Sequence, residues 1–157
     1  MLQSLIAYLR AAMPRLQERE ATVGRELALV RAYLELMAMR MPDRLRYTLT
    51  TDPALDGEPF PPMALLTLVE NAIRHGIDPA EQGGRISVSV RREGHALRVQ
   101  VADTGAGLRE HSATGTGLAN LRERLLMFFG PQASLELAEN EPRGVRAVLH
   151  CPSAGAP

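Results

Sequence analysis

Lysine and tryptophan are absent from this chain of 157 residues, and cysteine occurs once. All 18 basic residues are therefore arginine, which leaves no side chain for Schiff-base chemistry or for a P-loop of the Gly-Lys-Ser type. The single cysteine, Cys151, excludes an internal disulfide and fits a reducing compartment such as the cytoplasm. Aromatic residues make up only 4% of the chain, too few for a surface on which nucleic-acid bases stack.

Neither sign of charge is in excess, because the formal net charge is zero. A neutral balance gives no reason to expect nucleic acid or an anionic membrane as a partner. No apolar run approaches the roughly 18 residues of a membrane span, and no basic leader precedes an apolar core as in a signal peptide. An apolar content of 45% is enough for one buried domain with a helical appendage. We therefore expect a cytoplasmic domain, which leaves open a membrane anchor elsewhere in a longer protein.

Apolar residues at helical spacing predict two helices near the N-terminus, one over residues 1–15 and one from the capping residue Thr22 to Pro42. Their apolar stripes exceed what exposed helices need, so we expect them to pack on each other or on a second copy. Further helices are predicted from Pro61 to about Arg74 and over residues 118–129. Alternating apolar residues predict strands around residues 45–50, 86–90, 97–101, 133–137 and 145–151.

An acid–amide pair, Glu70 and Asn71, lies within the predicted helix that ends near Arg74. Asn71 offers a neutral oxygen of the kind that magnesium accepts while it shares its coordination shell with water and phosphates. Glu70 is adjacent and points about 100° away around the helix, which suits a role in orienting or deprotonating a nucleophile. The alternative is an ordinary helix surface with two polar residues.

Two glycine clusters follow, Asp103 to Gly107 at the end of a strand and Gly115 to Gly117 at the start of a helix. The Asp103 carboxylate can accept a hydrogen bond from an exocyclic amine, which would distinguish adenine from guanine, and the glycines let a flat base approach closely. The free amides of a helix N-terminus favour phosphate. Each cluster alone is a weak signal, since Asp-Gly turns and Gly-x-Gly loops are common.

Three segments resemble, in their order along the chain, the N box and the two glycine boxes of histidine-kinase ATP-binding domains. They are LVENAIRHG (68–76), DTGAG (103–107) and GTGLANLRERL (115–125). The superfamily also contains DNA gyrase, a heat-shock chaperone family and MutL. The segment ELALVRAYLELMAMRMPDRL (26–45) looks particularly like LytS-type sensor kinases. The resemblance covers nearly the whole chain.

The resemblance implies an α+β fold, a two-layer α/β sandwich of the Bergerat type in which helices cover one face of a mixed sheet. It implies a catalytic role for Glu70 near the transferred phosphoryl group, magnesium on Asn71, and the adenine amine on Asp103. The expected nucleotide-binding residues are Asn71, Arg74, His75, Asp103, Gly105, Gly107, Gly115, Thr116, Gly117 and Leu118.

The same resemblance divides the chain into residues 1–42, the end of a helical dimerisation and phosphoacceptor region, and residues 43–157, the ATP-binding catalytic domain. ATP, magnesium, an upstream phosphoacceptor helix and a response regulator are the implied partners, with a homodimer in the full-length protein and no nucleic acid. The phosphoacceptor should be a histidine followed by an apolar residue and asparagine, and none of the four histidines has this context.

Departures from the family pattern keep other interpretations open. Val145 follows Gly144 where the family often has a hydroxyl residue, and the segment 108–114 is short and lacks phenylalanine. A nucleotide-sensing interaction module without catalysis is one alternative, and a serine kinase resembling anti-sigma factors is another. Arg124 could pair with phosphate or could lie on a solvated helix face.

Overall fold

A computed structural model describes residues 3–6, 8–9, 21–108 and 116–153 of the chain. Its principal elements, in chain order, are α1 (Val23–Arg40), β1 (Leu45–Thr51), α2 (Ala64–Asn71), β2 (Gly84–Glu93), β3 (Ala96–Asp103), α3 (Thr116–Phe129), β4 (Ser134–Glu139) and β5 (Val145–Pro152). A short 3-10 helix spans Pro53–Leu55, and α2 continues into a π-helical segment, Ala72–Ile77. Residues 3–6 and 8–9 are also helical, as the N-terminal spacing predicts.

The five strands form one mixed sheet in the order β1-β2-β3-β5-β4. Strands β1 and β2 are parallel, whereas the other neighbouring pairs are antiparallel. The residues that alternate along the central strands are buried on one face, where they join the helices in a single core; they include Ile86, Val88, Val90, Leu97, Val99, Val101, Ala147 and Leu149. The predicted two-layer α/β sandwich is therefore confirmed.

Helix α1 forms where the sequence predicts it, because Thr22 caps its N-terminus and Leu27, Val30 and Leu34 share its buried face. The preceding helical residues pack on α1, since the rings of Tyr8 and Tyr33 are 6.0 Å apart. Leu5, Ile6 and Leu9 of the predicted first stripe are nevertheless 40%, 40% and 46% exposed, so the structure does not show these residues packed on the second stripe. None of the helices that the structure describes is long and apolar enough to cross a membrane.

The end of β3 lies against the end of α2 at a contact between two glycines. The backbone N–H of Ala106 donates to the carbonyl oxygen of Gly76 at 2.9 Å. A Cβ atom on Gly105 would lie 2.0 Å from that same oxygen, a separation that the backbone can relieve only by moving. Glycine at position 105 therefore permits the close approach of the two layers.

Replacing Gly105 by alanine should destabilise the fold by about 1–3 kcal/mol, the usual cost of forcing extra atoms into a packed site. Gly57→Ala is the matched control, because nothing lies within 4 Å of a Cβ atom at position 57, and it should change stability by less than about 0.5 kcal/mol. Urea unfolding followed by circular dichroism measures both values. Equal stabilities for the two variants would contradict the role assigned to Gly105.

Candidate functional site

Helix α2 carries the acid–amide pair and changes its geometry directly after it. The α-helical part ends at Asn71, and the π-helical segment Ala72–Ile77 follows. Such widened turns are rare and occur frequently at functional sites. The far end is held by Arg44, whose Nη2 donates to the carbonyl oxygens of Ile77, Asp78 and Ala80 at 3.2, 3.2 and 2.8 Å. A cation at the carboxyl end of a helix also interacts favourably with the helix dipole.

Asp103 lines a narrow cavity of about 40 Å³ together with residues of the sheet and of α2. The residue is only 3% exposed. Oδ1 accepts hydrogen bonds from the backbone N–H groups of Gly105 at 2.9 Å and Val145 at 3.4 Å. Burial raises the pKa of the Asp103 carboxyl above its ordinary value, and these two N–H groups oppose the shift. The described hydrogen bonds occupy Oδ1, so Oδ2 can accept one from a ligand.

The walls of this cavity are mostly apolar, with polar groups from α2 at its edge. The lining residues are Leu68, Asn71, Ala72, His75, Gly76, Val101, Asp103, Leu118, Leu137, Val145 and Ala147. A narrow apolar space with one buried carboxylate suits a flat, mostly apolar ring that presents a hydrogen-bond donor. Val145, where the resembled family often has a hydroxyl residue, borders this same cavity.

A larger cleft of about 780 Å³ lies beside it, between the helices. It is lined by Tyr33, Met37, Arg40, Thr67, Glu70, Asn71, Ile73, Arg74, Asp78, Gly117, Asn120, Glu123, Arg124 and Met127. Asn71 borders both the cavity and the cleft. Asn71 therefore lies at the boundary, where its side-chain amide can contact a ligand that extends from the cavity into the cleft.

Glu70 is exposed on the cleft wall. The protein atoms around it nevertheless raise the pKa of its carboxyl above the ordinary value, and the nearby charge of Arg74 opposes the shift. The charge of Glu70 in turn adds to the burial that raises the pKa of Tyr33 to about 12. Glu70, Arg74 and Tyr33 thus share one electrostatic environment within the cleft.

The structure brings most of the predicted site residues together. Asn71, His75, Asp103 and Leu118 border the cavity, and Glu70, Asn71, Arg74 and Gly117 border the cleft. Gly105 lies behind the cavity against Gly76. Gly107 lines a separate depression of about 200 Å³ with Glu139 and Gly144. Gly115 falls outside the described residues, as do the side chain of Thr116 and most of the short segment between the glycine boxes.

Other residues of the site carry no sequence signal by themselves. Asn140 donates from Nδ2 to the carbonyl oxygen of Asp103 at 2.8 Å, and it comes from the loop after β4. Tyr33, Met37 and Arg40 reach the cleft from α1 because that helix packs on α2. Asn120 could have been found from its spacing, since it lies one turn after Gly117 on α3.

Comparisons with known families agree with this geometry. Residues 62–155 match the family described as histidine kinase-, DNA gyrase B- and HSP90-like ATPase. Residues 1–45 match a family described as histidine kinase. The two matched segments together cover nearly the whole chain.

Curated relatives include the sensor protein LytS of Enterococcus faecalis, which is 30% identical over 97% of this chain and 28% of its own length. The sensor histidine kinase/phosphatase LytS of Staphylococcus aureus is 33% identical over 87% of this chain and 26% of its own length. The chain therefore spans only about a quarter of the length of these relatives.

Solved structures resemble the fold at lower identity. The catalytic domain of the histidine kinase ThkA has a TM-score of 0.66 at 16% identity, covering 85% of this chain and 94% of that one. The histidine kinase domain of the blue-light-activated kinase EL346 from Erythrobacter litoralis has a TM-score of 0.65 at 18% identity, covering 95% and 74%. Because the ATPase match extends over residues 62–155, more than half of the chain, this protein belongs to the histidine kinase-, DNA gyrase B- and HSP90-like ATPase family.

Proposed function

We propose that this chain is the ATP-binding catalytic region of a sensor histidine kinase, which transfers the γ-phosphoryl group of ATP to a histidine on an upstream helix. Residues 1–42 are then the end of the dimerisation and phosphoacceptor region, and residues 43–157 are the catalytic domain. A response regulator takes the phosphoryl group afterwards, and the full-length protein acts as a homodimer. The family match, together with the match of residues 1–45 to a histidine kinase family, supports this assignment.

The observation that carries the proposal is the position of Asn71 between the cavity and the cleft. Adenine occupies the cavity, where its amine donates to Asp103. The phosphates extend into the cleft towards Arg74 and the N-terminus of α3, where free amides favour anions. Asn71 lies where the two parts of ATP meet.

Magnesium fits the residues here because Asn71, a neutral oxygen donor, borders both the cavity and the cleft. Magnesium characteristically uses one or two protein oxygens and completes its shell with phosphates and water. Asn71 supplies such an oxygen. A magnesium ion held by Asn71 would supply positive charge that offsets the phosphate charge opposing attack at the γ-phosphorus.

Glu70 acts on the nucleophile. Its carboxylate accepts a hydrogen bond from one ring nitrogen of the incoming histidine, so that the other nitrogen presents its lone pair to phosphorus. This role requires the ionised carboxylate of Glu70, which accepts the hydrogen bond, and a histidine ring that is not protonated on both nitrogens.

A second candidate function is nucleotide sensing without catalysis. Val145 at the cavity favours it, because an apolar residue there cannot support the base through a water-mediated hydrogen bond as a hydroxyl would. Phosphoryl transfer separates the two functions.

Replacing Asn71 by alanine should weaken binding of ATP in the presence of magnesium by roughly tenfold or more, the loss typical when a metal site loses a supporting group. Binding of ATP without magnesium should change little. Calorimetric titration with magnesium or with a chelator measures both affinities. Asn71→Asp is the control, since it keeps an oxygen ligand and should keep the dependence on magnesium. Equal losses with and without the ion would remove Asn71 as the ligand.

Replacing Asp103 by asparagine should reduce the preference for ATP over GTP. The lost hydrogen bond to a charged acceptor is worth roughly 1.5–3 kcal/mol, or about one to two decades in the ratio of affinities. Competition between the two nucleotides at equilibrium measures that ratio. An unchanged ratio in the variant would contradict the assignment of Asp103.

The stability of the same variant shows whether misfolding explains the result. Burial raises the pKa of Asp103 in the folded state, so its contribution to stability is greatest at low pH and is lost as the pH rises through the folded pKa. Asparagine carries no charge, and its carbonyl oxygen can still accept from Gly105. Asp103→Asn should therefore be at least as stable as the parent chain at pH 7 and should lose this advantage below about pH 4. Thermal melting at both pH values measures the difference.

Replacing Glu70 by glutamine should slow phosphoryl transfer to a separate segment carrying the upstream histidine by about 100-fold or more, while ATP affinity changes by less than about twofold. Labelled ATP and acid-labile phosphate on the acceptor measure the rate. The chain itself should carry no acid-labile phosphate on His75, His95, His111 or His150, since none has the acceptor context. A full transfer rate in Glu70→Gln would remove its role, and labelling of any of these histidines would identify a different acceptor.

A further inference from the structure

Helix α2 begins at an unusual residue. Met63, its N-cap, has φ 67° and ψ 1°, a left-handed conformation that residues other than glycine seldom adopt. Such a conformation persists only where the surroundings hold it in place. The start of the helix that carries Glu70 and Asn71 therefore depends on contacts from neighbouring elements.

Side chains from three helices provide those contacts. Oε2 of Glu26, on α1, accepts a hydrogen bond from the backbone N–H of Met63 at 3.0 Å. Within α2, the hydroxyl of Thr67 donates to the carbonyl oxygen of Met63 at 2.8 Å. From α3, Arg124 donates to the carbonyl oxygen of Pro62 through Nη1 at 2.7 Å and to Oγ1 of Thr67 through Nη2 at 3.2 Å.

Arg124 connects two regions that border the proposed phosphate site. It lies seven residues after Gly117, about two helical turns along the same face of α3, and both residues line the cleft. Its partner Thr67 lies four residues before Asn71, about one turn along α2. The guanidinium thus ties the turn before Asn71 to the helix whose N-terminus faces the nucleotide.

We propose that Arg124 is a positioning residue that holds Asn71 at a fixed place relative to the N-terminus of α3, so that magnesium and phosphate are bound together. This inference rests on the proposed function. The role rests on the hydrogen bonds of Arg124 to Pro62 and Thr67, and direct contact with phosphate through its remaining N–H groups is the alternative that the test distinguishes. The planar, forked guanidinium can serve both acceptors at once, which the single ammonium group of a lysine does less well.

The test is a double-mutant cycle between Arg124→Gln and Asn71→Ala in the 157-residue chain. The measured quantity is the magnesium gain, defined as the Kd for ATP with a chelator divided by the Kd for ATP with magnesium. Arg124→Gln should lower this gain by about tenfold when Asn71 is present, a coupling of the size found within one hydrogen-bond network. In the Asn71→Ala chain the same change should alter the gain by less than about twofold, because the residue that Arg124 positions is already missing.

Two controls separate positioning from general structural damage. Arg122→Gln removes a neighbouring arginine that is exposed on the same helix and lines neither the cavity nor the cleft, so it should leave the gain unchanged. Thr67→Val removes the hydroxyl that accepts from Arg124 and should lower the gain in the same direction, whereas Thr67→Ser keeps the hydroxyl and should retain it. If Arg124→Gln does not fold, as shown by thermal melting, Thr67→Val takes its place in the cycle.

The possible results lead to different conclusions. An equal loss in both backgrounds, or a parallel loss of metal-free ATP binding, would overturn the positioning role in favour of direct phosphate contact or a purely structural role. An unchanged gain in both Arg124→Gln and Thr67→Val would overturn this inference alone. If the parent chain binds ATP with no gain from magnesium, the proposed function fails and this inference fails with it.

Discussion

The hydrogen bond between Ala106 and Gly76 joins the end of β3 to the end of α2, and the geometry of the site depends on it. A Cβ atom on Gly105 would meet the Gly76 carbonyl oxygen, and one on Gly76 would meet the Asp103 carboxylate, so neither position has room for a larger residue without a shift of its neighbours. This contact brings the carboxylate of Asp103, on the sheet, beside the amide of Asn71, on the helical layer. Because Gly76 and Gly105 have no side chains, the sheet and the helical layer come closer at this contact than larger residues would allow. The cavity lies next to this contact.

The electrostatics of the site follow from the same closeness. Asp103 is buried, which makes its charged form costly, and backbone N–H groups offset only part of that cost. A ligand that donates to this carboxylate therefore gains more here than at a solvated surface. Glu70, on the open cleft, is exposed to solvent and to the charge of Arg74. Asp103 is thus suited to recognising a bound ligand, whereas Glu70 remains accessible to an incoming partner.

Much of the fold could be predicted from the sequence, because apolar spacing reports which face of an element is buried. The spacing of Leu27, Val30 and Leu34 located α1, and the alternation of Val88 and Val90 located β2. The same pattern cannot reveal a π-helical segment, since residues 72–77 continue a helical periodicity whose hydrogen bonds are set by packing. It also placed the start of α2 at Pro61, whereas the left-handed Met63 moves the start to Ala64.

The candidate site was predictable only in part. Three short motifs predicted that Asn71, Asp103 and Leu118 would lie together, and they share one cavity. The partners of Arg124 and the contribution of Asn140 were beyond sequence reasoning, because each depends on contacts between residues more than 35 positions apart. Gly107 was predicted to border the nucleotide because it follows Asp103 in the same motif. In the structure it lines a separate depression instead.

The parallel pairing of β1 with β2 has a consequence for how the site forms. Parallel neighbours cannot be joined by a tight turn, and here the connection between them contains the whole of α2. The helix that carries Glu70 and Asn71 is thus part of the crossover connection between these two parallel strands. Closing such a long connection is an entropically costly, non-local event. A ligand that requires this helix in place binds only the completed fold, so its binding energy is added to the stability of the entire sheet.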